Sequence, residues 1–181
     1  MRPSKEQYYL NIAKEIAQRS TCFRQKAAAI LIKNDTIISS GYIGAPRKTK
    51  DCLERGECLR DKLKIPHGQQ YECCRSVHAE QNAFLNACRS GNSVLGADMF
   101  LWAEEGKGNP LDAFPCYICK KMIMNAGINH FVGSKKQGGF EIFSVQDWID
   151  EWKKGDILDD KHQYGSDRNR KEGYSGYENN D

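Results

Sequence analysis

The chain has 181 residues, 39% of them apolar, enough for one domain with a core of its own. Lys and Arg number 27 against 24 Asp and Glu, and the net charge of +3 is too small for a nucleic-acid coat or for adhesion to an anionic membrane. The longest apolar run, Ala27 to Ile32, is far shorter than the roughly 20 residues of a membrane span, and Met1 to Leu10 lacks the features of a signal peptide, so a soluble, cytoplasmic protein is expected.

In chain order, Tyr8, Tyr9, Ile12, Ala13, Ile16 and Ala17 recur at helical spacing between Lys5 and Arg19, with Ser4 placed to cap the first turn. Ala27 to Lys33 and Thr36 to Gly41 read as two strands joined by a tight turn at Asn34-Asp35. Gly44 to Glu72, rich in Pro, Gly and charge, reads as a long loop, and a loop of that length needs a function or a staple. A second helix opens at His78, carries the apolar stripe Ala79, Ala83, Phe84, Ala87 and Cys88, with Cys88 assigned to the core, and ends at Gly91. Asp98 to Ala103 is a strand, Pro115 to Ala126 a helix entered at a proline and left at Gly127, and His130 to Gly133 another strand. This alternation predicts an α/β sandwich. From Lys153 onward aliphatic residues almost vanish, which places the domain at 1–152 and a mobile polar tail at 153–181.

Eight cysteines stand at 22, 52, 58, 73, 74, 88, 116 and 119. Without an export signal they point to metal ligation rather than to a disulfide framework. Two short motifs supply the chemistry: His78-Ala79-Glu80, and Pro115-Cys116-Tyr117-Ile118-Cys119. Cysteines three apart share one helical face, and a helix N-terminus favours thiolates, so Cys116 and Cys119 are expected to hold one zinc with His78 as the third ligand. Three protein ligands leave a fourth position for water, the arrangement of a catalytic site, and zinc lowers the pKa of that water to about 7. Glu80 need not ligate; it is the expected proton shuttle. A lone Cys-x-x-Cys is as easily a redox pair, and a lone His-Ala-Glu an ordinary helix start. Together, His-x-Glu followed by Pro-Cys-x-x-Cys is the signature of zinc deaminases.

Over roughly Lys5 to Trp148 the chain resembles the deoxycytidylate deaminases of the cytidine deaminase superfamily. The matching segments include Ser20-Thr21-Cys22, Ile37 to Tyr42, Gly44-Ala45-Pro46, Cys74 to Ala83 and Asn125 to Ile128. The resemblance implies a three-layer α/β/α sandwich with a mixed five-stranded sheet, conversion of dCMP to dUMP, homo-oligomers and, in relatives, control by an allosteric nucleotide. It also implies a second, structural zinc beside the long loop, with Cys22 and Cys52 where two ligands fall. Cys58 and Cys74 can complete the set, with His67, Glu72 and Cys73 as competing donors. Arg24, Lys26, Tyr42 and Ala79 are the candidate substrate contacts; Arg24 is the first choice for a phosphate, with Arg47 and Lys48 in neighbouring loops. Where the family has Gly-Tyr-Asn-Gly, this chain has Gly41-Tyr42-Ile43-Gly44, and Ile43 cannot make the hydrogen bond of an asparagine. Deamination of another free base, of a base within a nucleic acid, or a silent nucleotide-binding zinc module are the alternatives.

Overall fold

The computed structural model describes residues 2–66, 69–157 and 160. Helix α1 (Lys5–Ala17) starts where Ser4 accepts a hydrogen bond from the Gln7 amide. Strands β1 (Gln25–Lys33) and β2 (Thr36–Tyr42) form the expected hairpin. Asn34 and Asp35 both take positive φ, 50° and 60°, as a tight two-residue turn demands. Tyr9 Oη and Lys5 Nζ each reach the Asp35 carboxylate at 2.7 Å and tie the first helix to that turn.

The stretch expected to be an irregular loop contains three single turns: α2 (Cys52–Arg55), α3 (Leu59–Lys62) and a 3₁₀ turn at Tyr71–Cys73. They are too short for periodicity to reveal, although Asp51 and Glu54 form a complete capping box around the first. Helix α4 (Ala79–Arg89), strand β3 (Asp98–Glu105), helix α5 (Tyr117–Asn125) and strand β4 (His130–Ser134) follow as read. The residue pattern alone did not mark strand β5 (Phe140–Ser144), nor helix α6 (Val145–Lys154), across whose interior the boundary at 152 falls.

The sheet order is β2-β1-β3-β4-β5, with only β3 and β4 parallel. Both faces of its centre are covered, so the strands read as continuous apolar runs rather than alternating ones. Ala28, Ile30 and Ile32 of β1, with Phe100 and Trp102 of β3, pack against Tyr9, Leu10, Ala13 and Ala17 of α1. The intervening residues Ala27, Ala29, Leu31, Met99, Leu101 and Ala103 pack against Ala79, Ala83 and Ala87 of α4, Ile123 of α5 and Val145 and Trp148 of α6. The result is the three-layer sandwich. Cys88 is exposed, not core: it falls a helical step beyond the Ala79, Ala83, Ala87 stripe and borders an outer groove with Phe84 and Met122.

Helix α4 lies unusually close to the edge strand β2. A Cβ on Gly41 would stand 2.2 Å from the Ala83 nitrogen and 2.5 Å from the Ala79 oxygen, so only glycine permits this approach. Asn82, Asn86 and Asn92 then donate side-chain amides to the carbonyls of Tyr42, Ser40 and Ile38 at 2.8, 2.8 and 2.7 Å. These bonds occupy acceptors that an edge strand would otherwise offer to another chain.

The expected tail begins differently. Asp160 is buried and pairs with Lys120, a fully buried residue of α5 whose ammonium lies 4.6 Å from the centre of the Trp148 ring and 5.6 Å from those of Phe114 and Trp152. Trp152 also donates to Asp160 at 3.0 Å. Residues 158, 159 and 161–181 of that expected tail lie outside the described residues. No described helix is long and apolar enough to cross a membrane.

Candidate active site

His78 and Cys116 are both N-caps, in extended conformation immediately before α4 and α5, and Cys119 lies in the first turn of α5. Their positions are fixed by backbone. Gly44 and Val77 exchange both amide hydrogen bonds, 3.4 and 2.8 Å, holding the residue before His78 against the end of β2. On the other side the Ala113 amide donates to the Ser134 carbonyl at 2.8 Å, and a Cβ on Gly133 would stand 2.0 Å from the Ala113 oxygen. The lead-in to Cys116 therefore lies flat on β4.

His78 Nδ1 is 3.4 Å from the sulfur of Cys116 and 3.4 Å from that of Cys119. Among the described residues these three form the one group of three or more candidate ligands whose donor atoms all lie within 4.8 Å of one another. Two helix N-termini converge on it, and their partial positive charge favours thiolates and a bound anion. One imidazole and two sulfurs suit a tetrahedral zinc with one open position, so the donor set fits the ion.

The electrostatics agree. Cys116 is held down to about 4, first by the hydrogen bond with Cys119 and then by His78, against burial. Cys119 is pushed up by that same hydrogen bond, by burial and by Glu80. The proton the two sulfurs dispute is the one a divalent cation displaces. Glu80, 6% exposed in the first turn of α4, is raised chiefly by burial, with the Cys116 charge adding to it and His78 opposing. A carboxyl raised in this way holds a proton more readily than a free one, as a group that takes up and returns protons must.

The other candidates divide between the two faces of the sheet. Ala79 is buried at the start of α4, so only its backbone is available to a ligand. Ile43 packs with the cluster on the α4 and α5 side. Tyr42 and Lys26 do not share that side: Tyr42 packs with the α1 cluster, and Lys26 bonds Gln18 at 2.9 Å and pairs with Glu104 at 3.6 Å. Strand alternation sends the even residues of β1 toward α1, and this removes Lys26 from the zinc side. Arg24 pairs with Asp61 of α3 at 3.6 Å, and Arg47 donates to Asn86 at 2.8 Å.

Cys22, Cys52, Cys58 and Cys74 are brought into one neighbourhood. Burial raises the thiols of Cys22 and Cys52, and each also feels the charges of Cys58 and Cys74. No three of them come within 4.8 Å of one another. The competing donor His67 lies outside the described residues. Arg60 and Tyr71, which carry no motif of their own, reach the site from the loop: the guanidinium lies 5.0 Å over the Tyr71 ring, whose centre is 4.9 Å from that of His78.

Residues 3–135 match the family model described as the cytidine and deoxycytidylate deaminase zinc-binding region. A deoxycytidylate deaminase of Mycobacterium phage D29 is 32% identical over 139 residues, covering 75% of this chain and 98% of that protein. One of Schizosaccharomyces pombe is 31% identical over 131 residues, which cover 72% of this chain but only 37% of the yeast protein. The crystal structure of dCMP deaminase from cyanophage S-TIM5, in complex with dCMP and dUMP, matches with a TM-score of 0.52 at 29% identity, covering 72% of this chain and 81% of that one. A cytidine deaminase of Burkholderia pseudomallei, 15% identical with a TM-score of 0.51 over 78% of this chain and 93% of that one, shares the fold. With the motifs on two converging helix ends and the match running through both, the chain belongs to the cytidine and deoxycytidylate deaminase zinc-binding family.

Proposed function

We propose that this chain is a zinc-dependent hydrolytic deaminase of dCMP, in which His78, Cys116 and Cys119 hold the ion and Glu80 moves the protons. The observation that carries the reading is the group of one imidazole and two sulfurs within 4.8 Å, with a buried carboxyl beside it. Zinc held there supplies a nucleophilic hydroxide at neutral pH. Glu80 would take a proton from water and pass it to the N3 nitrogen of cytosine as C4 becomes tetrahedral, then take the proton of the new C4 hydroxyl and hand it to the departing amine as the C4 carbonyl forms. Water and dCMP thus become dUMP and ammonia. Ile43, packed against the core cluster on this side, has no side-chain donor or acceptor to offer a sugar hydroxyl.

The same reading includes a second zinc held by Cys22, Cys52, Cys58 and Cys74, supported by their shared neighbourhood. It includes action in the cytoplasm, where eight free thiols remain reduced. It also includes assembly with further copies, supported by exposed Leu85 and Ile118 on the outer faces of α4 and α5.

The test is incubation of zinc-loaded protein with dCMP, CMP, deoxycytidine and a cytosine-containing single strand. Release of dUMP and ammonia from dCMP in preference to the others is expected. Turnover of one of the others, with dCMP inert, overturns the substrate while leaving the chemistry.

A further inference from the structure

We infer that Arg60 and Tyr71 are positioning residues for His78: the loop between α2 and α4 takes the part that a hydrogen-bonded neighbour plays at most metal-bound histidines. This rests on the reading of His78 as a zinc ligand.

A ligating imidazole ordinarily donates its second nitrogen to a carboxylate, a carbonyl or water, which fixes the ring. Here Nδ1 faces the two sulfurs, and among the described residues no hydrogen bond reaches Nε2. What holds the ring is Tyr71, its plane at 86° to the imidazole and its centre 4.9 Å away. Tyr71 belongs to a 3₁₀ turn with no buried residue of its own, so something else must seat it.

Arg60 does so. It is 5% exposed, its Nη2 donates to the carbonyls of Pro66 and Gln69 at 2.6 Å each, and its planar face covers Tyr71. The Pro66 and Gln69 carbonyls both lie shortly before the turn that carries Tyr71, so one guanidinium holds these two carbonyls and the ring together. A flexible ammonium cannot bridge two carbonyls and stack at once. Arg60 makes no ion pair among the described residues, and its Nε is buried without a partner. A buried cation kept without a carboxylate is costly, and its position behind the metal ligand gives that cost a purpose. Helix α3 is in turn tied down beside Arg60 by the Asp61 pair with Arg24.

The experiment follows zinc transfer from the protein to a chromogenic chelator, together with kcat and KM for dCMP, in wild type, Tyr71→Ala, Tyr71→Phe and Arg60→Met. The phase of zinc release that disappears in Cys116→Ala reports the His78 site. Tyr71→Ala and Arg60→Met are expected to quicken that phase about 10- to 100-fold and to lower kcat comparably, with KM changed less than about twofold, whereas Tyr71→Phe behaves as wild type. The inference is overturned if Tyr71→Ala loses only thermal stability while releasing zinc at the wild-type rate, or if Tyr71→Phe is as damaging as Tyr71→Ala. Should Arg60→Met fail to fold, the two Tyr71 variants decide. A wild-type protein with no release phase sensitive to Cys116→Ala would instead overturn the assignment of the zinc site itself.

Discussion

The chain gathers sulfur in two places by different means. At the first, Cys116, Cys119 and His78 stand on the first turns or N-caps of two helices packed on one sheet, and backbone hydrogen bonds exchanged with Gly44 and donated to the Ser134 carbonyl hold the residues that lead into them. At the second, Cys52 and Cys58 begin single helical turns, while Cys22 and Cys74 come from flanking irregular segments. Arg75, which donates to the Glu57 carboxylate and to the Glu57 carbonyl at 2.9 Å each, links these segments. The first set is within ligand range by virtue of the fold. The second is gathered into one neighbourhood without such a group. A catalytic centre needs its geometry before the substrate arrives; a staple does not.

Removing a ligand from the compact set sharpens the contrast most. Cys119→Ala is expected to lower deamination at least about 10³-fold, from several kcal/mol of lost metal assistance, and to remove one zinc per chain in elemental analysis. The next effect is on folding: Asp160→Asn leaves the Lys120 ammonium buried without its carboxylate and is expected to cost about 3–5 kcal/mol in urea unfolding. Combining it with Lys120→Met should recover much of that loss; if the double variant is worse than either single one, the ion pair is not what fastens the end of the chain to α5. Cys52→Ser should lose the other zinc and several degrees of thermal stability, while kcat stays within about threefold of wild type. An equal loss of kcat would mean that the two sulfur clusters are not separable.

The smallest effect lies outside both sites, at the β1–β2 turn. Asp35 is held below the usual carboxylate range, first by the hydrogen bond from Lys5 and then by Tyr9. A depressed folded-state value contributes stability that is complete above the unfolded pKa of about 4 and is lost as pH falls through the lower folded value. Asp35→Asn should therefore flatten, slightly, the acid limb of a plot of Tm against pH; an unchanged limb would show that other carboxylates set it.

Much of the site was legible because its ligands lie at helix starts, where a histidine or a proline-cysteine pair marks the boundary as well as the chemistry. The hairpin was legible for a similar local reason, since Asn34 and Asp35 suit positive φ. Partners set by long-range packing were not legible. Strand alternation turns Lys26, one of the candidate substrate contacts, toward α1, and Cys88, expected in the core, is exposed because the stripe is one residue narrower. Arg60 was one more charge in a charged loop, and nothing local announces a guanidinium that bonds carbonyls six and nine residues away. Asp160 was lost in a polar tail because its burial depends on Lys120, 40 residues earlier.

The central claim concerns Glu80, since it separates a catalytic zinc site from a structural one. The most direct measurement is ammonia release from dCMP by wild type and Glu80→Gln at equal zinc content. The account predicts steady turnover by wild type and a fall of about 10²- to 10⁴-fold in kcat for the variant with zinc retained. Equal rates in the two proteins, or no ammonia from zinc-loaded wild type, would contradict it.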